Sequence, residues 1–258
     1  MFILRVISDR IEFMEYEKIV LKNGVRVILV EKPDFLSFTM LCLFGTGSRN
    51  ENEKNAGVSH FLEHMMYKGA KKRKTPMEVA QFVDSMGAEH NAFTGKEYTG
   101  YYVKAAADKI LPAIDFLADN VVGAMIPEEE VLKERGVIVE EIKMYEDIPS
   151  AKMEEEFEKI MFPGDVLGRP IAGEAKIIEK MTRDDIVAYK EKNYSADNCV
   201  ISICGNFLDI SKEKLIEELE KNFKLKSGMP RESMQSNLVN SVAVKTIKKP
   251  IEDRKSVV

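Results

Sequence analysis

Residues 56–68, AGVSHFLEHMMYK, set the hardest constraint on this chain, because an apolar helical segment there carries two histidines and a glutamate. Val58, Phe61, Leu62, Met65 and Met66 leave almost no polar face, and a helix apolar nearly all round is normally buried. Burying two imidazoles and a carboxylate without partners costs on the order of several kcal/mol. The fold must therefore bring compensating groups, or a cation, to this helix. His60 and His64 project about 40° apart on the helical wheel, so both can reach one ion. Zinc accepts imidazole nitrogen, and an i, i+4 pair is a common way to present two such ligands. Glu63, on the flank of the same face, is placed to act on a zinc-bound water rather than to bind the metal. The alternative is a pair of core histidines bonded to backbone carbonyls, with Glu63 at the surface.

A catalytic zinc site needs a third protein ligand. The acidic helical stretch after Pro127 can supply it. Glu134 and Glu141 are seven residues apart and fall within about 20° on one face, together with Ile138 and Tyr145. Glu140 is the rival ligand, but its neighbours Lys133 and Lys143 put it on the wetter side. An ordinary charged surface with i, i+4 pairs is the competing reading of this helix.

Composition bounds the rest. With 38 Lys plus Arg against 43 Asp plus Glu, the net charge is −5, which argues against general nucleic-acid binding. Hydrophobic residues at 45% and charged residues at 31% fit a soluble globular protein of one large or two small domains. No run of about 18 apolar residues predicts a membrane span. Three cysteines make no disulfide framework, and Cys199 and Cys204 fall on opposite faces of a strand, a poor geometry for a shared metal. Buried thiols in a reducing compartment, with a cytoplasmic location, are the expectation. The first 13 residues, MFILRVISDRIEF, are broken by Arg5 and lack a small-residue cleavage site, so they read as an N-terminal extension and not a signal peptide.

Along the chain, residues 18–32 alternate around Asn23-Gly24 as a hairpin, and 37–46 read as a third strand. Thr75, Pro76 and Glu78 fit the start of a helix that ends near Gly87, followed by a strand pair over 89–94 and 98–105. Asp108 is expected to cap a helix to about Gly123. Pro149 is expected to interrupt the long helix from Pro127, with helix resuming to about Phe162. Residues 163–173 read as loop, Thr182 caps another helix, 198–204 are a strand, and 211–223 a last helix. Residues 241–247 are strand-like. Clustered strands and clustered helices predict an α+β fold with a largely antiparallel sheet packed by helices. Lys68, Lys71, Lys72, Arg73 and Lys74 read as a solvated basic loop after the histidine helix.

The segment GSRNENEKNAGVSHFLEHMMYKGAKKR resembles the zinc segment of the inverted zincins: the pitrilysin and insulysin peptidases, and especially the mitochondrial-type processing peptidases and their bacterial relatives. MGAEHNAFTGKEYTGYYVKA is similar to their substrate-edge strand and its return strand, ERGVIVEEIKMYEDIP to the helix with the third ligand, and LGRPIAGEAKIIEKMTRDDIVAYKEKNYSADNCVISICGN to the remainder of the first structural half. The likeness runs from about residue 17 to 225.

This resemblance implies zinc held by His60, His64 and Glu141, catalysis by Glu63, and a supporting carboxylate at Glu134. It also implies that Asn91, Ala92, Phe93 and Thr94 form the strand on which an extended peptide is laid by β-augmentation. His90 beside that strand reads as a local hydrogen-bonding residue. The expected activity is a zinc-dependent endopeptidase acting on peptides or unfolded segments. The expected organisation is an extension over 1–13, a metallopeptidase domain over 14–226, and a tail over 227–258 leading toward a second half. Family members carry two related halves, so the expectation is a homo-oligomer or a complex with a second-half subunit. The alternative is a fragment or non-catalytic partner that binds zinc but needs that half for activity.

Overall fold

A computed structural model of the protein describes residues 15–207 and 210–228, together with Val244 and Thr246. The expected extension over 1–13 and most of the tail, including the strand-like residues 241–247 apart from these two, lie outside the described residues.

Six strands form one sheet: β1 (Glu17–Val20), β2 (Arg26–Glu31), β3 (Ser37–Phe44), β4 (Glu89–Thr94), β5 (Thr99–Ala106) and β6 (Cys199–Gly205), in the order β1-β2-β6-β3-β5-β4. All neighbours are antiparallel except β2 and β6, so the largely antiparallel α+β fold is as expected. The sequence pattern carries no sign of the parallel pair, because β2 and β6 are brought together only by the whole intervening chain.

The period-two pattern of the strands explains how the sheet packs. Along β3, Phe38, Met40, Cys42 and Phe44 are buried while the residues between them are half-exposed. Tyr101 and Val103 of β5 and Cys199, Ile201 and Ile203 of β6 continue that buried face. Cys42 and Cys199 meet there with their Sγ atoms 3.6 Å apart, while Cys204 is exposed on the other face.

Helices α1 (Val58–Met65), α2 (Pro76–Met86), α3 (Ile110–Val122), α4 (Glu128–Asp147), α5 (Pro149–Met161), the single-turn α6 (Ala175–Ile178), α7 (Arg183–Asn193) and α8 (Lys212–Asn222) complete the described chain. Among the described residues, none is long and apolar enough to cross a membrane. Local chemistry sets most ends. Thr75 accepts from the Glu78 amide with Pro76 in the first turn, and Gly87 closes α2 in the left-handed region. Thr182 and Asp185 form a reciprocal cap on α7. Pro149 disfavours helical backbone at Ile148, which separates α4 from α5.

Asp108 does not cap α3. It lies in a short 3-10 turn, Ala107–Lys109, and pairs with Lys109 at 2.7 Å. Pro112 gives the reason: it lacks an N–H, fits only the first turn, and so places the helix start at Ile110. The loop over 163–173 contains a 3-10 turn, Val166–Gly168, and is followed by α6, too short to show a periodic signal.

Val58, Phe61, Leu62 and Met65 of α1 are fully buried, each contributing about 1.5–3 kcal/mol. The chain enters α1 through Gly57 at φ 93°, where a Cβ would lie 2.6 Å from the Ala172 carbonyl oxygen and 3.0 Å from Cα of Gly173. Gly87, at φ 59°, has open space around it. Gly57→Ala is therefore expected to lose more than about 3 kcal/mol, strain plus clash, against about 1 kcal/mol for Gly87→Ala. Urea unfolding of the two variants measures the difference, and equal losses would contradict the close approach at Gly57.

Candidate metal centre

Helix α1 starts without a side-chain cap of its own, since its N-cap residue is glycine. Glu51, from the polar loop before it, takes that role. Its two carboxylate oxygens accept from the amides of Gly57 at 2.7 Å and Ser59 at 2.8 Å. The Ser59 hydroxyl lies 2.7 Å from the Tyr189 hydroxyl, which also donates to the Gly47 carbonyl. The turn immediately before His60 is thus pinned by buried polar contacts. Glu51 was not singled out from the sequence. The signal available was an acidic residue just upstream of an apolar helix that begins on glycine.

The sheet and α4 enclose the other side of α1. The Nε2 atoms of His60 and His64 are 3.3 Å apart. Glu141 reaches across from α4, with one oxygen 3.6 Å from His60 Nε2 and the other 3.4 Å from His64 Nε2. These three residues can present ligand atoms that all lie within 4.8 Å of one another. Three donors at about 2.0–2.1 Å from one tetrahedral ion stand about 3.3–3.4 Å apart, so the arrangement fits a zinc ion. Glu140 points away and pairs with Lys143 in solvent, as its neighbours implied. Ile138, between Glu134 and Glu141 on the same face, is fully buried.

Glu134, one turn-pair earlier on α4, lies 3.1 Å from His64 Nδ1. That contact directs the opposite nitrogen of the ring toward His60 and Glu141. No such partner holds His60, whose buried Nδ1 has no hydrogen-bond partner among the described residues. Glu63 is not part of the cluster. Its carboxylate accepts from the Thr94 hydroxyl at 2.5 Å, which ties it to the end of β4.

Electrostatics follow from burial and these contacts. Burial and the neighbouring His64 pull His60 down to about 4, against the attraction of Glu141. Burial also works against charge on His64, but its hydrogen bonds to Glu134 and Glu141 outweigh that and hold it up at about 9. Burial and the neighbouring ring thus disfavour a proton on His60, while the flanking carboxylates favour one on His64. Burial raises the Glu63 carboxyl despite the Thr94 hydrogen bond. The hydrogen bond to His64 keeps Glu141 below the ordinary carboxylate range.

Strand β4 is an edge of the sheet and bears Asn91, Ala92, Phe93 and Thr94. Asn91 is exposed, and the Ala92 amide donates to its side-chain oxygen at 2.9 Å. The Tyr67 hydroxyl donates to the Asn91 carbonyl. Phe93 packs across the strands over Gly100, where a Cβ would meet its ring at 2.3 Å. His90 differs from the expectation of a hydrogen-bonding role: its ring packs edge-on against Tyr67 and Phe116, with centroids 4.7 and 5.5 Å apart. Its neighbours on the inner face of β4 are aromatic, so burial decides its environment.

The basic cluster is also not a uniform solvated loop. Lys68 pairs with Glu134 at 2.5 Å. Arg73 is buried, bonded to Asp115 at 2.6 Å and Asp119 at 2.9 Å, and lies 3.6 Å over the Phe82 ring. Two aspartates one turn apart on a mostly apolar α3 were the available signal. Lys71, Lys72 and Lys74 do face solvent.

Comparison with known proteins gives two family matches. The family described as "Insulinase (Peptidase family M16)" matches residues 26–175, and "Peptidase M16 inactive domain" matches residues 180–256. A protein named "Uncharacterized zinc protease YmxG" from Bacillus subtilis is 39% identical over 202 residues, covering 78% of this chain and 48% of that protein. The mitochondrial-processing peptidase subunit beta of Dictyostelium discoideum is 32% identical over 203 residues, covering 79% of this chain and 42% of that one. A protease from Helicobacter pylori superposes with a TM-score of 0.78 at 25% identity, over 86% of this chain and 54% of the other. Pitrilysin superposes with a TM-score of 0.76 at 22% identity, over 88% of this chain and 25% of its own. The chain thus spans about half the length of the curated relatives it matches.

Burial pushes the Glu51 carboxyl up to about 7, against the pull of its Ser59 and Gly57 hydrogen bonds and the charge of Arg169. Between pH 4.5 and 7 the unfolded chain has released this proton while the folded one keeps it. The contribution is therefore a stability present at low pH that is lost as pH rises through 7, at no more than about 1.4 kcal/mol per pH unit. In Glu51→Gln that decline is expected to vanish, leaving a flatter profile over the same window. Denaturant unfolding of both metal-free proteins from pH 4.5 to 7.5 checks this, and parallel profiles would contradict it.

Proposed function

Since this chain belongs to peptidase family M16, the insulinase family, we propose that it is the metal-bearing half of a zinc-dependent endopeptidase that hydrolyses peptides bound as an extended edge strand. The observation that carries this reading is the convergence of His60 Nε2, His64 Nε2 and the Glu141 carboxylate, with Glu63 beside them and tied to β4. In this assignment His60, His64 and Glu141 hold zinc within a domain over residues 14–226, and Glu134 orients His64.

Zinc, when bound, supplies Lewis acidity that acidifies a water and polarises a carbonyl. The residues of the chain do the rest. The exposed edge of β4 at Asn91–Thr94 aligns the peptide backbone, which requires an extended and therefore locally unfolded substrate. Glu63 receives a proton from the attacking water and delivers it to the leaving amine. Partial burial favours this two-way transfer, because it raises the affinity of the Glu63 carboxylate for a proton. The Thr94 hydroxyl, at 2.5 Å, fixes the carboxylate in one orientation and links the base to the strand where the peptide is laid.

A second reading concerns the assembly. Because the chain spans about half the length of its relatives, we infer that full activity requires a second half, whether carried by the same polypeptide, by another copy or by a separate subunit. Such a half would close over a face that includes the metal cluster and exclude water from it.

Substitution separates ligand from base. His64→Ala and Glu141→Gln are expected to lose zinc. Glu63→Gln is expected to retain about one zinc per chain and lose at least about a hundredfold in hydrolysis. Glu140→Ala is expected to retain both. Metal analysis with a quenched-fluorescence peptide assay, run over a dilution series and with an added second half, reads each outcome. Zinc loss in Glu63→Gln as complete as in His64→Ala would overturn the division of roles. Full turnover by a strictly monomeric chain would overturn the need for a second half.

A further inference from the structure

Lys68 follows helix α1 by three residues, and the fold places both its backbone and its charge. Gly69 turns the chain at φ 132°, with room for no side chain: a Cβ would lie 2.5 Å from the Lys74 carbonyl oxygen. The carbonyl of Gly69 accepts from the Met125 amide at 3.0 Å, and the Lys71 amide donates to the Gly123 carbonyl at 3.1 Å. The turn after α1 is thereby stitched to the segment that leads into α4.

Glu134 is a buried carboxylate with both oxygens engaged. Oε2 faces His64 Nδ1 at 3.1 Å and Oε1 meets Lys68 Nζ at 2.5 Å. Its side chain is 7% exposed and that of Lys68 is 29% exposed, so the pair is largely desolvated. A buried carboxylate that loses its cationic partner keeps the desolvation cost and gains an unsatisfied oxygen. Three carboxylates, Glu63, Glu134 and Glu141, gather round the two imidazoles, and Lys68 is a cation paired directly with one of them.

We propose that Lys68 is a positioning residue of the metal site: by occupying Oε1 of Glu134 it leaves only Oε2 for His64 and so fixes the imidazole with Nε2 toward the metal. The proposal rests on the reading of His60, His64 and Glu141 as zinc ligands. It adds Lys68 to that site, acting through Glu134 and touching neither metal nor substrate. Lys68→Met frees Oε1, lets the carboxylate rotate, and loosens the ring that Glu134 holds. Outer partners of this kind typically contribute ten- to a hundredfold in metal affinity. Lys68→Arg keeps a cation within reach of Oε1 and should restore most of it.

The experiment is zinc affinity by competition against a chromophoric chelator at pH 7.5, on wild type, Lys68→Met, Lys68→Arg, Glu134→Gln and the Lys68→Met/Glu134→Gln double variant. Circular dichroism of each metal-free protein checks the fold. Lys68→Met is expected to bind zinc about tenfold more weakly with its fold intact. Lys68→Arg should bind within about threefold of wild type. The double variant should be no weaker than Glu134→Gln alone, because Lys68 acts only through Glu134. If Lys68→Met does not fold, Lys68→Gln is read in its place. Wild-type affinity in the folded Lys68 variant, or additive losses in the double variant, would overturn the proposal while leaving the metal site intact. A wild type that binds no zinc would overturn the metal site and this proposal together.

Discussion

The crossing of α4 over α1 is the contact on which the rest of this structure depends. Helix α1 is held in the core by Val58, Phe61, Leu62 and Met65, and leaves His60, Glu63 and His64 only partly open to water. What makes that burial tolerable is the row of carboxylates on α4. Glu134 meets His64 Nδ1 at 3.1 Å, and Glu141 meets the Nε2 atoms of both imidazoles within 3.6 Å. The same apolar contacts that stabilise the fold therefore hold the ionisable groups in a fixed mutual arrangement. Preorganisation here is a consequence of core packing, since moving any one of these groups would disturb fully buried neighbours such as Ile138.

Local periodicity made part of this legible. An i, i+4 histidine pair and an i, i+7 glutamate pair each declare a shared helical face, and the structure places both faces against each other. Resemblance to a known family was needed to choose Glu141 and to single out β4. Proline and threonine signals gave the ends of α2, α5 and α7 correctly, because the steric and capping effects behind them act over three or four residues. Asp108 failed as a cap because Pro112, two residues into the next turn, had the stronger claim on the helix start.

What stayed hidden depends on contacts distant in sequence. Glu63 meets Thr94 across 31 residues and Lys68 meets a glutamate on another helix. Lys68 and Arg73 look like members of a solvated basic run, and only the fold shows that one is tied to Glu134 and the other buried on Phe82 between two aspartates. The parallel pairing of β2 with β6 and the meeting of Cys42 with Cys199 belong to the same class. In each case the pairing partner is chosen by topology, which a local pattern does not encode.

The central claim is that His60, His64 and Glu141 form a zinc site of two imidazoles and one carboxylate. X-ray absorption at the zinc edge of the protein loaded with one equivalent of metal tests it most directly. The account predicts a shell of nitrogen and oxygen donors at about 2.0–2.1 Å with the outer-shell scattering of two imidazole rings and no sulfur. A sulfur shell at about 2.3 Å, which would bring in the cysteines, or scattering from a third ring, which would bring in His90, would contradict it.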